Sequence, residues 1–251
     1  MAGLKDDRVK SGIQGLDEMI EGGFPSGFCY AVVAGPGAGK TIFGSQFLYR
    51  GITDYGENGL YITLEEPPYS IANSMMRFGW NLYELENREK LALVDASPIK
   101  TLQRSQYVIK AGLGNEEFSI DGLLGVVAEA KRKIGAKRCV VDSLTALSIQ
   151  YRDEFEGRQQ TLKLVKALTE MRLTTLLLAE ASEESVDIQR FGAVDFLAQG
   201  VIYLHIYRVR DSVIRALEVR KMRGTKKVDK LCPYAFTDSG IAVYPQETVF
   251  R

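Results

Sequence analysis

The stretch that decides the fold runs from Phe28 to Leu48 and reads FCYAVVAGPGAGKTIFGSQFL. It begins with an apolar run typical of a buried strand, continues through a glycine-rich turn and ends in a pattern typical of a helix. Gly35, Gly37 and Gly39 permit backbone conformations that side chains disfavour, so successive N–H groups can curl around a phosphate. The sequence therefore predicts a strand, a phosphate-binding loop and a helix, in this order.

The loop predicts a nucleotide site of the P-loop type. Lys40 can reach β- and γ-phosphates, and Thr41 opens a helix whose N-terminus favours an anion and whose first hydroxyl can bind Mg²⁺. Ala34 stands where the pattern G-x-x-x-x-G-K-[ST] has its first glycine, and a methyl is tolerated there if φ stays negative. A dinucleotide fingerprint is excluded, because Lys40 occupies the position of its third glycine. The predicted nucleotide contacts are Gly35, Pro36, Gly37, Ala38, Gly39, Lys40, Thr41 and Ile42.

The composition is that of an ordinary globular protein. The chain has 251 residues, of which 45% are hydrophobic and 25% charged. Its 32 Lys and Arg residues balance 32 Asp and Glu residues, so no net charge attracts nucleic acid or an anionic membrane. No apolar run has the length of a membrane span, and the first residues do not resemble a signal peptide. Cys29, Cys139 and Cys232 form no C-x-x-C pair, which favours buried thiols in a reducing cytoplasm.

Two further apolar runs end in acidic residues. The run GLYITL, residues 59–64, precedes Glu65 and Glu66, and a second run from Arg138 leads to Asp142. Doubly wound sheets bind their ligands at the carboxyl ends of such strands. A carboxylate after the first run could polarise a water that attacks a γ-phosphate, and Asp142 could hold Mg²⁺ directly or through water. Local sequence alone favours a simpler interpretation of the glutamate pair, an acidic turn that begins a helix.

The order of these motifs resembles the KaiC-type ATPases of the RecA superfamily. S-G-I-x-G-L-D begins at Ser11, G-G-x-P-x-G begins at Gly22, and both precede the phosphate loop. The resemblance, which extends to archaeal RadA paralogues, covers nearly the whole chain. It implies an α/β, RecA-like fold in which helices flank a mostly parallel sheet with antiparallel C-terminal strands. It also implies ATP or ADP as ligand, and hydrolysis of ATP within a homo-oligomer, a six-membered ring.

The resemblance also implies roles for individual residues. KaiC-like domains carry a Glu-Glu pair as catalytic carboxylates, which makes Glu65 and Glu66 candidates for the general base. Residues 221–225 match the family segment K-[LM]-R-G-[TS], whose lysine and arginine reach the γ-phosphate held by the neighbouring subunit. A basic strand end in water is the alternative for this segment. The predicted catalytic residues are Lys40, Glu65, Glu66, Lys221 and Arg223, and the predicted metal ligands are Thr41 and Asp142.

One domain is expected to span residues 1–251. Residues 1–27 lead into its core, and residues 98–120 lose clear periodicity and are expected to form an insertion. That insertion is either an element of specificity or a solvated surface excursion. Residues 201–251 form a β-rich part whose successive strands predict antiparallel pairing, and this part includes the subunit-interface residues.

Three functions are compatible with the sequence. The first is a cytoplasmic, Mg²⁺-dependent ATPase that hydrolyses ATP slowly and signals to an unidentified protein partner. The second is a DNA-associated recombinase accessory protein, which the acidic stretch 181–200 disfavours because it lacks a basic-aromatic platform for single strands. The third is a nucleotide-gated scaffold for protein interactions. Glu180 holds the position of the γ-phosphate sensor of RecA-like enzymes, with an acid in place of glutamine, and its role stays open.

Overall fold

The computed structural model describes residues 7–96, 107–108, 119–151, 153–181 and 197–249. Strands and helices alternate through most of the described chain, and the last part is all strand. In chain order the elements are β1 (Arg8–Val9), α1 (Leu16–Met19), β2 (Phe24–Pro25), β3 (Cys29–Ala34), α2 (Lys40–Tyr55), β4 (Gly59–Thr63), α3 (Pro68–Met75), a 3₁₀ turn (Met76–Phe78), α4 (Leu82–Asn87), β5 (Leu91–Asp95), β6 (Tyr107–Val108), α5 (Ile120–Ile134), β7 (Arg138–Asp142), α6 (Leu144–Ile149), α7 (Glu154–Glu170), β8 (Thr174–Glu180), β9 (Gly200–Val209), β10 (Ser212–Met222), β11 (Cys232–Thr237) and β12 (Gly240–Val243).

The central sheet is mostly parallel. Its order is β12-β11-β10-β9-β3-β8-β7-β4-β5-β6, and β1 pairs with β2 separately. Every pairing from β9 through β6 is parallel, whereas β10, β11 and β12 continue the sheet in antiparallel fashion. This confirms the predicted fold class. The antiparallel part starts one strand later than the β-rich tail suggests, because β9 still pairs in parallel with β3.

Helices cover both faces of the sheet, which is why its strands read as continuous apolar runs rather than alternating ones. All six residues of β3 are buried. On one face, Tyr30 and Val32 pack in a core with Phe43 and Phe47 of α2. The opposite face holds a second core, in which residues of α5 and α7 cover the sheet. The glycine loop therefore leaves the middle of a rigid, doubly covered sheet.

The predicted insertion 98–120 falls mostly outside the described residues. Its described parts are the short strand β6 at residues 107–108, which pairs in parallel with β5, and the start of α5. Ser119 caps α5 by accepting a hydrogen bond from the Gly122 N–H at 3.4 Å. Ile120 is thus a helical residue, and the helix begins two residues earlier than residue 122, where the apolar periodicity begins.

A fully buried arginine joins three parts of the structure. The side chain of Arg138, the first residue of β7, is 0% exposed and pairs with the Glu57 carboxylate. Its Nη1 donates to the backbone carbonyls of Lys10 at 2.8 Å and Phe47 at 3.0 Å. The guanidinium also lies over the rings of Phe47 and Tyr55, at 4.6 and 5.5 Å from their centroids. Burial lowers the pKa of this guanidinium, and Glu57 opposes the shift. Arg138 therefore ties the N-terminal segment and α2 to β7.

Gln46 in α2 holds the first and last described segments together. Its Nε2 donates to the carbonyls of Gly12 and Ile241 at 3.1 Å each, and its Oε1 accepts from the Ile241 N–H at 2.7 Å. Gln14 forms a parallel bridge with Ala242 beside this contact. The helix that follows the phosphate loop is thus also the support for both segments.

The three cysteines are free and buried, as the sequence predicts. Burial raises the pKa of the Cys29 and Cys139 thiols, which keeps them unreactive. Within the described ranges, no helix has both the length and the apolar character that a membrane crossing requires.

Candidate nucleotide-binding and catalytic site

The glycine loop lies at the carboxyl end of the parallel strands, between β3 and α2. Gly37 and Gly39 have φ values of 76° and 93°, a region that favours glycine. Gly35 does not share this conformation, and a Cβ built there would meet no atom within 4 Å. Ala34 has no positive φ, so its methyl is accommodated in the way the sequence predicts. The loop is therefore open on the side of Gly35 and tightly turned at Gly37 and Gly39.

The C-terminal strand β11 supports the loop from one side. A Cβ at Gly39 would lie 2.6 Å from the ring of Phe236, so only glycine fits there. The Tyr234 hydroxyl donates to the Ala38 carbonyl at 2.8 Å. The Arg215 guanidinium lies 4.9 Å from the centroid of the Phe236 ring. These contacts cannot be predicted from the sequence, because no local pattern links β11 to a loop almost 200 residues earlier.

Lys40 points back across the loop. Its Nζ donates to the Ala34 carbonyl and to Glu180 Oε1, each at 3.2 Å. Glu180 ends β8 and pairs in register with Ala34, so the sheet itself places the carboxylate beside the lysine. The Lys40 side chain is 11% exposed and that of Glu180 is 41% exposed. The ammonium is therefore partnered on two sides by the protein.

Thr41 and Asp142 meet at the start of α2. The Thr41 hydroxyl donates to Asp142 Oδ2 at 2.9 Å, and the Tyr61 hydroxyl donates to the same oxygen at 2.6 Å. Burial raises the pKa of the Asp142 carboxyl, whereas the bonds from Tyr61 and Thr41 lower it. Burial, followed by the charge of Asp142, raises the pKa of Tyr61 well above its usual value, so Tyr61 stays a donor.

The pair Thr41–Asp142 fits a Mg²⁺ site. Its hydroxyl and carboxylate oxygens are the hard ligands that Mg²⁺ prefers, and Mg²⁺ is usually held by one or two carboxylates together with substrate phosphates. The described residues include no cluster of three or more His, Cys, Asp or Glu side chains able to hold a metal. Tyr61 supports the carboxylate from behind, and the sequence gives no sign of its role.

Glu65 and Glu66 follow β4 and are held differently. Glu65 Oε2 accepts a hydrogen bond from the Ser143 hydroxyl at 3.0 Å. Glu66 Oε2 accepts from the Ser70 hydroxyl at 2.7 Å, at the start of α3. Because Ser143 directly follows Asp142, its bond draws Glu65 toward the candidate metal site, whereas the bond from Ser70 draws Glu66 toward α3.

One cavity of about 400 Å³ brings these groups together, a volume typical of small-molecule sites. Most of the site residues predicted from the sequence line it, whereas Ala38 is buried and is not among the lining residues. The sequence did not reveal the lining by Arg77, Phe78 and Phe236. The lining residues are Gly35, Pro36, Gly37, Gly39, Lys40, Thr41, Ile42, Glu65, Glu66, Arg77, Phe78, Asp142, Glu180 and Phe236.

Lys221 and Arg223 lie elsewhere in the same chain. Met222 pairs with Gly200 at the start of β9, and Gly200 pairs with Tyr30 near the start of β3. The phosphate loop follows the other end of β3, about 13 Å away at roughly 3.3 Å per residue. The two basic residues therefore lie at the amino-terminal ends of the parallel strands, opposite the phosphate loop.

Hydrogen bonds to the residues just before β9 hold Lys221 and Arg223 in this position. Lys221 Nζ donates to the Ala198 carbonyl at 2.8 Å, and the Arg223 N–H donates to the Gln199 carbonyl at 2.9 Å. β10 ends at Met222, so Arg223 is exposed in the turn that follows. Neither cation lines the cavity of its own chain.

A buried parallel strand, a glycine loop with Lys40 and Thr41, and an aspartate on a neighbouring strand define the P-loop class of nucleotide-binding proteins. The model of the family described as "ATPase: KaiC" matches residues 9–248. The chain belongs to this family, and membership implies a nucleotide-binding ATPase.

Relatives of two kinds resemble the chain. The UPF0273 protein of Aeropyrum pernix is 36% identical, over 97% of this chain and 96% of its own length. The circadian clock oscillator protein KaiC of Parasynechococcus marenigrum is 33% identical over 96% of this chain, but this chain covers only 46% of that protein. The chain thus spans about half the length of the KaiC proteins it matches.

A solved structure supports the fold assignment. The crystal structure of a KaiC-like protein from Pyrococcus horikoshii OT3 superposes with a TM-score of 0.82 at 36% identity, covering 95% of this chain and 99% of that one. The likeness confirms the RecA-like fold and the resemblance on which the sequence interpretation rests.

Proposed function

We propose that this protein is a Mg²⁺-dependent ATPase that hydrolyses ATP slowly within a homo-oligomeric ring and regulates a protein partner. The observation that carries the proposal is the convergence of Lys40, Thr41, Asp142 and Glu65 on one cavity at the carboxyl edge of the sheet. A single cytoplasmic domain over residues 1–251 is part of the proposal.

Each group has a role that its position supports. The loop N–H groups and Lys40 bind the phosphates, and the N-terminus of α2 favours their charge. Thr41 and Asp142 would hold Mg²⁺, which neutralises phosphate charge when bound. Glu65, held by Ser143 beside Asp142, orients and deprotonates the attacking water. The adenine end of ATP fits against the rings of Phe78 and Phe236, the apolar part of the lining.

The remaining cations come from a second copy of the chain. Lys221 and Arg223 lie at the opposite ends of the strands from the loop. This distance argues against their reaching the γ-phosphate in their own chain and supports a contact with the γ-phosphate of a neighbouring chain. A guanidinium can bridge two γ-phosphate oxygens, and a lysine adds a point charge. The nucleotide cavity and the segment with Lys221 and Arg223 lie at opposite ends of the strands, so copies must associate head to tail. Closure of such an arrangement gives a ring.

A nucleic-acid function is the second candidate, and one feature favours it. Tyr203, His205 and Tyr207 form a half-exposed ladder on β9 with ring centroids 5.7 Å apart, and Arg220 lies 4.0 Å from the Tyr203 ring centroid. Such rings can stack on bases. However, hydrogen bonds from His205 and then Arg220 lower the pKa of Glu218 to about 2, which keeps a negative charge in the ladder. Salt-dependent DNA binding with and without ATP separates this candidate from the first.

Replacement of Lys40 by Ala tests the nucleotide site. We expect ATP to bind about 100-fold more weakly, because the variant loses charge-assisted hydrogen bonds to two phosphates. Calorimetric titration measures the affinity, and thermal unfolding shows that the fold survives. Lys166→Ala is the matched control, since Lys166 pairs with Glu170 on the surface of α7. Unchanged ATP affinity in Lys40→Ala would remove the P-loop assignment.

Mixing two inactive variants tests the subunit contact. Lys40→Ala chains lack the phosphate loop cation, and Arg223→Ala chains lack the cation supplied to a neighbour. Mixed assemblies contain some interfaces that pair an intact loop with an intact Arg223, so we expect part of the ATPase rate to return. Steady-state hydrolysis at several mixing ratios measures the recovery. Assemblies that exchange subunits without any recovery, or a chain that stays monomeric with ATP and Mg²⁺, would contradict the proposal.

A further inference from the structure

The contact between Lys40 and Glu180 limits what Lys40 can bind. An ammonium group has three N–H donors and accepts nothing. Lys40 uses one donor on the Ala34 carbonyl and one on Glu180 Oε1, both at 3.2 Å. Among the described residues these two contacts leave one donor, whereas the lysine of a P-loop reaches both the β- and the γ-phosphate. With the bond to the Ala34 carbonyl kept, a diphosphate can bind while the carboxylate stays in place, but a triphosphate needs the donor that Glu180 holds.

Electrostatic repulsion also disfavours binding of the Glu180 carboxylate and a γ-phosphate to Lys40 at the same time. The γ-phosphate and the Glu180 carboxylate would both lie within hydrogen-bond distance of one ammonium, and two anions so close repel each other. The cavity lining already carries Glu65, Glu66 and Asp142 besides Glu180. Lys40 and Arg77 are the cations among the described lining residues. Within one chain, the described lining therefore offers little positive charge to hold a carboxylate and a γ-phosphate together.

The backbone at Glu180 is fixed, whereas its side chain can move. The Glu180 N–H donates to the Thr145 hydroxyl at 2.9 Å, and the next N–H, of Ala181, donates to the Ala34 carbonyl at 3.1 Å. The Glu180 side chain is 41% exposed, so its carboxylate can turn into water at little cost. A structural change at Glu180 is therefore a movement of its carboxylate, while the backbone at the end of β8 stays in place.

We propose that Glu180 senses the γ-phosphate by competing with it for Lys40, so that ATP displaces the carboxylate and ADP does not. A glutamine at such a position would recognise the phosphate by donating a hydrogen bond; the acid recognises it by being expelled. The inference rests on the proposed nucleotide site. Glu180 is a residue that sets the preference between ATP and ADP, and its presence lowers the affinity for ATP.

Affinities of two nucleotides test the proposal. ADP and a non-hydrolysable ATP analogue are titrated with Mg²⁺ into the wild-type protein, Glu180→Gln and Glu180→Ala. We expect both variants to bind the ATP analogue about fivefold more tightly, the size expected for a partly exposed ion pair. ADP affinity should change less than about twofold, because ADP leaves the contact intact. Glu170→Gln removes an equal charge from the surface pair with Lys166 and should change neither affinity.

The outcomes separate the two proposals. A higher ratio of ATP-analogue to ADP affinity in both Glu180 variants, with Glu170→Gln unchanged, supports the competition. An unchanged ratio, or weaker binding of the ATP analogue, overturns it and leaves the nucleotide site standing. A wild-type protein that binds neither nucleotide overturns the nucleotide site, and this inference with it.

Discussion

A double variant in which Glu65 and Glu66 are replaced by Gln is expected to hydrolyse ATP about 10²–10⁴-fold more slowly, the usual contribution of a positioned general base. Glutamine preserves size and hydrogen bonding but cannot accept a proton. Nucleotide binding should survive, because the phosphate ligands belong to the loop and α2. Single-turnover hydrolysis and a separate binding titration distinguish the two effects.

The two glutamates should contribute unequally. The Ser143 hydroxyl donates to Glu65 Oε2 at 3.0 Å and so holds Glu65 near Asp142, whereas the Ser70 hydroxyl holds Glu66 at the start of α3. Glu65→Gln alone is therefore expected to give most of the loss in rate. Glu170→Gln, a remote carboxylate change, serves as the control. Normal hydrolysis by the double variant would return both residues to the simpler interpretation, an acidic turn that begins a helix.

Replacement of Arg138 by Ala is expected to lower the free energy of unfolding by about 3–5 kcal/mol, the range for breaking a buried ion pair. The change leaves a cavity beside Phe47 and removes the donors to the carbonyls of Lys10 and Phe47. It also leaves Glu57 without its buried partner. Equilibrium denaturation in urea measures the loss.

Two further variants identify its cause. Arg138→Met keeps most of the volume and should lose less stability than Arg138→Ala, because well-packed apolar replacements of buried ions are tolerated. Glu57→Gln keeps the packing but leaves the guanidinium charge uncompensated, so a loss in this variant reports the charge pair itself. A loss below about 1 kcal/mol for Arg138→Ala, the size of a surface contact, would show that this cluster does not support the fold.

The parts of the site that the sequence predicts are those written in short, continuous patterns. The loop from Gly35 to Thr41 and the strand ends before Glu65 and Asp142 are local features, and the parallel sheet brings them to one edge. Their shared cavity follows from strand order, which the family resemblance implies. The antiparallel tail follows from strands that succeed each other without helices, although β9 itself pairs in parallel with β3.

Contacts between distant residues could not be predicted. The partners Arg138 and Glu57 are 81 residues apart, and Lys40 and Glu180 are 140 apart. No periodicity links such pairs, because each depends on which strands lie side by side and on rotamers chosen in the packed core. Arg138 reads in the sequence as an ordinary start to an apolar run, and its complete burial is visible only in three dimensions.

Gln46 couples the stability of two remote segments. Its amide is shared by the carbonyls of Gly12 and Ile241, which are 34 and 195 residues away along the chain. Local unfolding of either segment leaves part of a buried amide unpaired, at a cost of about 1–3 kcal/mol. Each segment therefore protects the other against opening, through one side chain on the helix whose first residue is Lys40.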